Sequence, residues 1–377
     1  MNKALVHDWY CTIGGGEIVV KTLNEIWDDF DHFSLIDTFN DIKRKEILNG
    51  KNVTTSFIQK LPTAKRNHRK FLQFYPQAIE QLDVSKYDLI ISSSSSVAKG
   101  VLTTTNQLHI CYCHSPARYA WDLYQQYLLE TGLNRGLFGL YAKYILHRFR
   151  LWDVISSNRV DYFIANSNNI AKRIKKIYNR EAKVIYPPID TEFFSYYDKK
   201  DEFYLAASRM VPYKKMDLII ETFNNMPDKK LIVIGDGPDF HKNEKLAKDN
   251  IELKGFVSRE ELKFYLQRAK CFVFAADEDF GMLPVEAQSC GTPVIALAKG
   301  GTLETIIPEV TGIFFKDHNS KSLKDAVERF SEIKFDSQKI RDHALKFSKQ
   351  KFKNEMKKFV TEKYDKFLTI KSIRELI

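Results

Sequence analysis

Glu278 and Glu286 bracket seven residues in the stretch EDFGMLPVEAQSCGTPVI. Pro284 suits the first turn of a helix and Gly281 its entrance, so the pattern predicts a helix over 281–290. Glu286 then falls inside the helix and Glu278 in the loop before it. Both can point into one crevice, where the amides of Gly281, Met282 and Leu283 also converge. That is an anion site flanked by two carboxylates able to accept hydroxyl hydrogen bonds. The triplet Asp277-Glu278-Asp279 is also open to reading as a metal-binding acidic motif. Simple capping of a helix dipole would account for Asp279 but not for a buried Glu286.

Arg209 and Lys214 lie in SRMVPYKKMD, directly after an apolar run. A guanidinium and an ammonium there can clamp a diphosphate and neutralise the charge that develops as it leaves. A solvated basic loop is the plain alternative. It suits the pair Lys214-Lys215 better than it suits Arg209, which follows a buried strand. Near the front, Gly14, Gly15 and Gly16 lead from a strand into a helix, a place where backbone can approach a phosphate closely. The spacing is not GxGxxG, and an ordinary flexible turn would look the same. His114 ends a buried strand in CYCHSPARYAWD, among Pro116, Arg118, Trp121 and Asp122. Those groups suit a pocket wall, and a satisfied structural histidine is the alternative.

Two stretches interleave basic and aromatic residues, 65–75 (KRNHRKFLQFY) and 135–152. In the second, Lys143, Arg148 and Arg150 are candidates for docking on an anionic leaflet, each cation adding on the order of 1 kcal/mol. Phe138, Tyr141 and Leu146 would enter the interface. A helix packed on its own domain is the competing reading, and Leu137 and Leu140 could serve either. No nucleic-acid partner is expected, since no RRM, KH or helix-turn-helix pattern occurs.

The elements that must position these residues form a repeating series. Apolar runs at 3–7, 32–37, 53–58, 88–92, 108–113, 161–166 and 183–186 read as strands in the first half. Runs at 203–208, 230–235, 251–256, 271–276, 293–297 and 311–315 do so in the second. Helices are expected at 16–27, 216–226, 260–269, 281–290 and 320–332, and a long helical pattern over 337–369. Strands apolar throughout and alternating with helices indicate buried parallel sheets, hence an α/β protein. A linker is expected in the polar stretch 195–202, after Pro187 and Pro188. The serines 92–96 read as a short low-complexity tract.

Composition sets the frame. A chain of 377 residues, 44% hydrophobic and 13% aromatic, is long enough for two cores and excludes general disorder. A net charge of +10 favours an anionic partner. No apolar run reaches the roughly 18 residues of a spanning helix. His7 and Asp8 interrupt any signal-peptide core. Cys11, Cys111, Cys113, Cys271 and Cys290 are scattered, which suggests reduced thiols in a cytosolic protein rather than a disulfide frame or zinc site.

Taken together, these residues resemble the retaining glycosyltransferases of family 4, which have the GT-B fold. The resemblance rests on Glu278 to Glu286 with the trailing GTPVI, on Arg209 and Lys214, on IGDGP at 234–238 and on GFVS at 255–258. At the front, HDW at 7–9, GGGE at 14–17 and YCHSPARYAWD at 112–122 are similar to bacterial mannosyltransferases of O-antigen and surface-polysaccharide assembly.

The resemblance implies two Rossmann-like domains with parallel sheets facing across a cleft. An acceptor-binding domain would span 1–190 and a nucleotide-sugar-binding domain 191–344, with a helical segment 345–377 crossing back to the first. Arg209 and Lys214 would hold the donor diphosphate, and Glu286 the ribose. Phe256 and Val257 would lie against the base. Glu278, Gly281, Met282 and Leu283 would hold sugar hydroxyls and phosphates. Gly15 and Gly16 would close over the phosphates, and His114 would line the reacting centre. Arg209, Lys214, Glu278 and His114 are thus the expected catalytic set, with no cofactor and no essential metal. The expected reaction moves mannose from GDP-mannose to a polyprenyl-diphosphate-linked glycan. It would run in the cytoplasm, peripherally on the inner face of the cytoplasmic membrane. A UDP-sugar donor, or a catalytically silent sugar-nucleotide-binding scaffold subunit, are the alternatives.

Overall fold

A computed structural model describes residues 1–375, so the last two residues of the segment expected at 345–377 lie outside the described residues. The chain divides into two compact units, one of 1–188 with 352–377 and one of 189–351.

The first unit holds seven parallel strands: β1 (Lys3–His7), β2 (Phe30–Ser34), β3 (Val53–Thr55), β4 (Leu89–Ser94), β5 (Leu108–Cys113), β6 (Tyr162–Ala165) and β7 (Ala182–Val184). Their order across the sheet is β3-β2-β1-β4-β5-β6-β7. The second unit holds six: β8 (Phe203–Ala207), β9 (Lys230–Ile234), β10 (Ile251–Gly255), β11 (Cys271–Phe274), β12 (Val294–Leu297) and β13 (Gly312–Phe315). Their order is β10-β9-β8-β11-β12-β13. All pairings are parallel, as buried runs such as ALV in β1 and VIAL in β12 require. Both are Rossmann-like α/β sheets of the GT-B kind. In each, the winding reverses once, between β1 and β4 and between β8 and β11. Ligands of such sheets bind beyond the strand carboxyl ends at that reversal.

Several elements depart from the sequence reading. The strand expected over 53–58 stops at Thr55, because Ser56 caps a 3-10 turn over Phe57–Lys60. The stretch 195–202 is not a free linker. Phe194, just before it, is buried, the Ser195 carbonyl accepts from Gln267, and the Tyr197 N–H donates to the Cys290 carbonyl. The pattern over 337–369 is not one helix. It breaks into Ser337–Ala344, a 3-10 turn Leu345–Phe347 and the helix Lys349–Glu375. Residues up to Lys351 stay with the second unit, where Ser348 bridges Ile189. From Phe352 on, the helix packs Phe352, Met356 and Val360 into a core of the first unit with Leu5, Val19 and Tyr112. All five cysteines are free, four of them buried.

Candidate functional site

In the second unit the reversal brings the loops after β8 and β11 together. Arg209 leaves the end of β8 exposed to solvent. A 3-10 turn, Pro212–Lys214, then carries Lys214 back over the strand end. Its ammonium is ion-paired with Glu278, in the loop after β11. Two glycine-dependent approaches hold these loops. A Cβ on Gly235 would fall 1.8 Å from the Ser208 carbonyl oxygen, so the IGDGP loop can press against the Arg209 loop only without a side chain. A Cβ on Gly301 would fall 2.2 Å from the Phe280 Cα, and the Gly301 N–H donates to the Glu278 carbonyl at 2.8 Å. The pair Gly300-Gly301 was not singled out from sequence. Its doubled glycine after β12 is the signal that could have found it.

Gly281, at φ +83°, precedes the helix Met282–Ser289, which begins one residue later and ends one residue earlier than expected. The first N–H groups of such a helix lack intrahelical acceptors, so those of Met282 and Leu283 are open to an anion. Glu286 sits inside the helix, half-buried, and burial pushes its carboxyl up to about 7. Arg259 works against that rise and Asp190 adds to it. The two glutamates therefore have different charged neighbours: Lys214 for Glu278, and the Arg259–Asp190 pair (3.0 Å) for Glu286. Arg259 follows GFVS directly and was missed by sequence reasoning. In that segment Phe256 is 85% exposed and Val257 half-buried.

In the first unit the reversal lies between β1 and β4, and a second polar cluster forms there. His114, at the end of β5, places Nε2 2.8 Å from Ser93 Oγ on β4. His7, at the end of β1, has Nδ1 3.0 Å from the Ser93 carbonyl and Nε2 3.4 Å from Glu17 Oε1. The other Glu17 oxygen accepts the Gly14 N–H at 2.9 Å. Gly16 closes over both rings: a Cβ there would lie 3.3 Å from His7 Cε1 and 3.6 Å from His114 Nε2. Gly15 is exposed beside it. Asp8 ties down the loop after β4 by accepting from Ser95 N, Ser95 Oγ, Val97 N and Ala98 N. Burial, and then the charge of His7, lowers the His114 pKa to about 4, so its ring is neutral near pH 7. Burial opposes charge on His7 as well, but the Glu17 hydrogen bond and charge lift its pKa above the usual value. Ser93 belongs to the stretch 92–96, which in sequence reads only as a serine tract. Ser92, Ser93, Ser94 and Ser96 are all buried.

The docking candidates separate on the helix Gly136–Ser157. Arg148 is exposed. Lys143 donates to the Asn134 carbonyl at 3.1 Å, and Arg150 donates to the Ala120 carbonyl at 3.1 Å while lying over the Tyr124 ring. Leu146 does not face outward: it packs in the core with Phe149 and Ala120. A depression of about 740 Å³ lined by Asp31, Lys51 and Lys86 lies at the opposite, amino ends of β2 and β3, away from the His7–His114 cluster of the same unit.

Residues 13–193 match the family model described as glycosyltransferase family 4, and residues 189–351 match that of glycosyl transferases group 1. An uncharacterized glycosyltransferase of Methanocaldococcus jannaschii is 30% identical over 173 residues, 44% of this chain and 48% of that protein. A D-inositol 3-phosphate glycosyltransferase of Mycobacteroides abscessus is 25% identical over 195 residues, 45% of this chain and 44% of that one. The stretches shared with these relatives thus span about half their length. Among solved structures, Anabaena HepE in complex with UDP superposes with a TM-score of 0.69 at 18% identity, over 96% of this chain and 100% of that one. A further structure of HepE holds UDP-glucose.

Proposed function

We propose, from the match of residues 13–193 and 189–351 to the models of glycosyltransferase family 4 and glycosyl transferases group 1, that the chain is a retaining transferase that uses a nucleotide-diphosphate sugar. The observation that carries this reading is the Lys214–Glu278 pair at the β8/β11 reversal, beside Arg209 and the helix start at Gly281. Lys214 is held ready by Glu278, and a donor diphosphate entering there exchanges one counter-charge for another. Arg209 and the amides of Met282 and Leu283 add donors. Glu278 is then released toward the sugar hydroxyls. Glu286, in its carboxylate form, accepts from the ribose, and Phe256 and Val257 offer an apolar surface to the base.

In the reaction an acceptor hydroxyl attacks the anomeric carbon as the bond to the β-phosphate oxygen breaks. The departing diphosphate is stabilised by Arg209 and Lys214. The acceptor proton passes to that phosphate in a same-face displacement. His114, neutral and held by Ser93, serves as a hydrogen-bonding wall for the acceptor, and Gly15 and Gly16 leave room beside it. No metal or other cofactor is required, because side-chain cations neutralise the leaving group.

The donor is GDP-mannose and the acceptor a polyprenyl-diphosphate-linked glycan of lipopolysaccharide or capsule assembly, handled at the inner face of the cytoplasmic membrane. The front segments HDW and YCHSPARYAWD support mannose. A UDP-sugar is the second reading, favoured by the fold shared with UDP-bound HepE. Incubation with GDP-mannose, UDP-glucose and UDP-galactose in parallel, following nucleotide release and sugar transfer, tests both. Release from GDP-mannose alone is expected. Release from a UDP-sugar alone would replace the donor, and none from any donor would overturn the enzyme.

A further inference from the structure

The helix Gly136–Ser157 is apolar on two opposite faces. Its inner face is accounted for: Leu146 and Phe149 are buried in a core of the first unit. The outer face is not. Leu137 and Phe138 are 84% and 82% exposed, Leu140 64%, Tyr144 57%, and Tyr141 and Leu151 are exposed as well. Positions 137, 141, 144, 148, 151 and 155 recur at helical spacing, so they form one continuous stripe. Arg148 is its only charged member. A soluble helix apolar all round is normally buried on every side. Seven large apolar side chains left in water along one helix, counting Ile155, mark a surface that meets something.

The surrounding charge says what it meets. No acidic residue occurs from Thr131 to Trp152, while Arg135, Lys143, Arg148 and Arg150 do. The 3-10 segment His68–Phe74 packs against this helix. It belongs to a second acid-free run, 47–79, in which Lys65, Arg66, Arg69 and Lys70 are exposed. Tyrosines with leucine and phenylalanine, rimmed by arginine and lysine, suit the boundary between lipid head groups and acyl chains. A second copy of the chain is a poorer occupant. A twofold contact sets the patch against itself and opposes two cationic faces without a counter-charge.

We infer that the outer face of this helix, led by Leu137, Phe138 and Tyr141, inserts into an anionic lipid leaflet, with Arg148 and the 65–70 segment held at its head groups. Of the three cations expected to dock, Lys143 and Arg150 are tied to backbone carbonyls and play the lesser part. The proposal rests on the reading above for its purpose, which is to bring the first unit to a lipid-linked acceptor. Its evidence is independent of that reading.

The test is co-sedimentation with vesicles of phosphatidylcholine containing phosphatidylglycerol, against phosphatidylcholine alone, without donor or acceptor. Binding to the anionic vesicles is expected, weakening as salt rises. Leu137→Ser/Phe138→Ser/Tyr141→Ser changes exposed positions only and should lower partitioning at least about tenfold. Arg148→Ala should lower it about fivefold, the worth of one surface cation. Transfer to a short water-soluble acceptor, measured in parallel, reads the enzymatic proposal separately and should be unchanged. Wild-type protein that ignores anionic vesicles at low salt overturns the inference. So does a triple variant that binds undiminished, or a solution dimer that the triple variant dissociates.

Discussion

Ser93 Oγ lies 2.8 Å from His114 Nε2, and the same residue's carbonyl lies 3.0 Å from His7 Nδ1. A carbonyl only accepts, so His7 Nδ1 carries a proton and donates. His7 Nε2 faces the Glu17 carboxylate. Ser93 thus joins a histidine biased toward its charged form to one held neutral. Three adjacent strands, β1, β4 and β5, make the link.

Ser93→Ala should remove the hydroxyl without emptying the site. About 1 kcal/mol of stability is expected to go with the hydrogen bond, along with up to tenfold in transfer rate. Ser93→Thr should retain both. Imidazole nitrogen shifts by NMR give the direct reading: His114 should titrate near 4, as its burial dictates, and its Nε2 shift at neutral pH should move in the alanine variant, where the Ser93 hydroxyl contact is gone. An unchanged His114 Nε2 shift would remove Ser93 from this role.

Acid should destabilise the fold before the carboxylates titrate. Burial first, and nearby cations second, depress His32 and His109 to about 3 and His114 to about 4. A histidine with a lowered folded-state pKa contributes fully above its unfolded value near 6.5 and loses that contribution as pH falls toward the folded value. His7 is raised and acts oppositely, losing its contribution as pH rises through its folded pKa. Five lowered histidines, His68 and His343 among them, outweigh the raised His7 and Glu286, so the thermal midpoint should fall between pH 6.5 and 4. A midpoint flat across that window would contradict the buried neutral rings.

Lys214→Ala should lower turnover by two to three powers of ten, since a charge-assisted contact to a leaving diphosphate is worth about 3–4 kcal/mol. The change also leaves Glu278 without its cation. Lys214→Ala combined with Glu278→Gln should therefore bind donor better than Lys214→Ala alone, while turning over no faster. A well-folded Lys214→Ala enzyme with near-normal turnover would exclude the clamp.

Donor affinity should rise with pH through about 7, because the Glu286 carboxyl titrates there and only its carboxylate accepts two ribose hydrogen bonds. Raised above its unfolded value, the same group favours folding at low pH and loses that contribution as pH climbs through about 7. Binding and stability thus move in opposite directions. Glu286→Gln should flatten both steps in calorimetric titration and in thermal melts.

Activity should survive EDTA at millimolar concentration. Complete loss restored by Mg²⁺ or Mn²⁺ would reopen Asp277, Glu278 and Asp279 as a metal site.

The alternation of apolar runs with amphipathic helices was legible in the sequence, because a strand buried on both faces needs an unbroken apolar run. The Glu278–Glu286 segment was legible for a similar local reason: Gly281, Pro284 and the helix they start lie within a few residues. Strand order was not. His7 and Ser93 are 86 residues apart, and Lys214 and Glu278 are 64 apart. Nothing local decides that β1 lies beside β4 or β8 beside β11. That choice belongs to crossover handedness and to the packing of helices on both faces of each sheet. It alone turned a serine tract into a bridge between two histidines and a basic loop into an ion pair. The helix Gly136–Ser157 shows the same division of labour. Its composition promised an apolar surface with cations, but a helix apolar on both sides does not state which side faces the core. The tertiary structure turned Leu146 and Phe149 inward and left Leu137 and Phe138 in water.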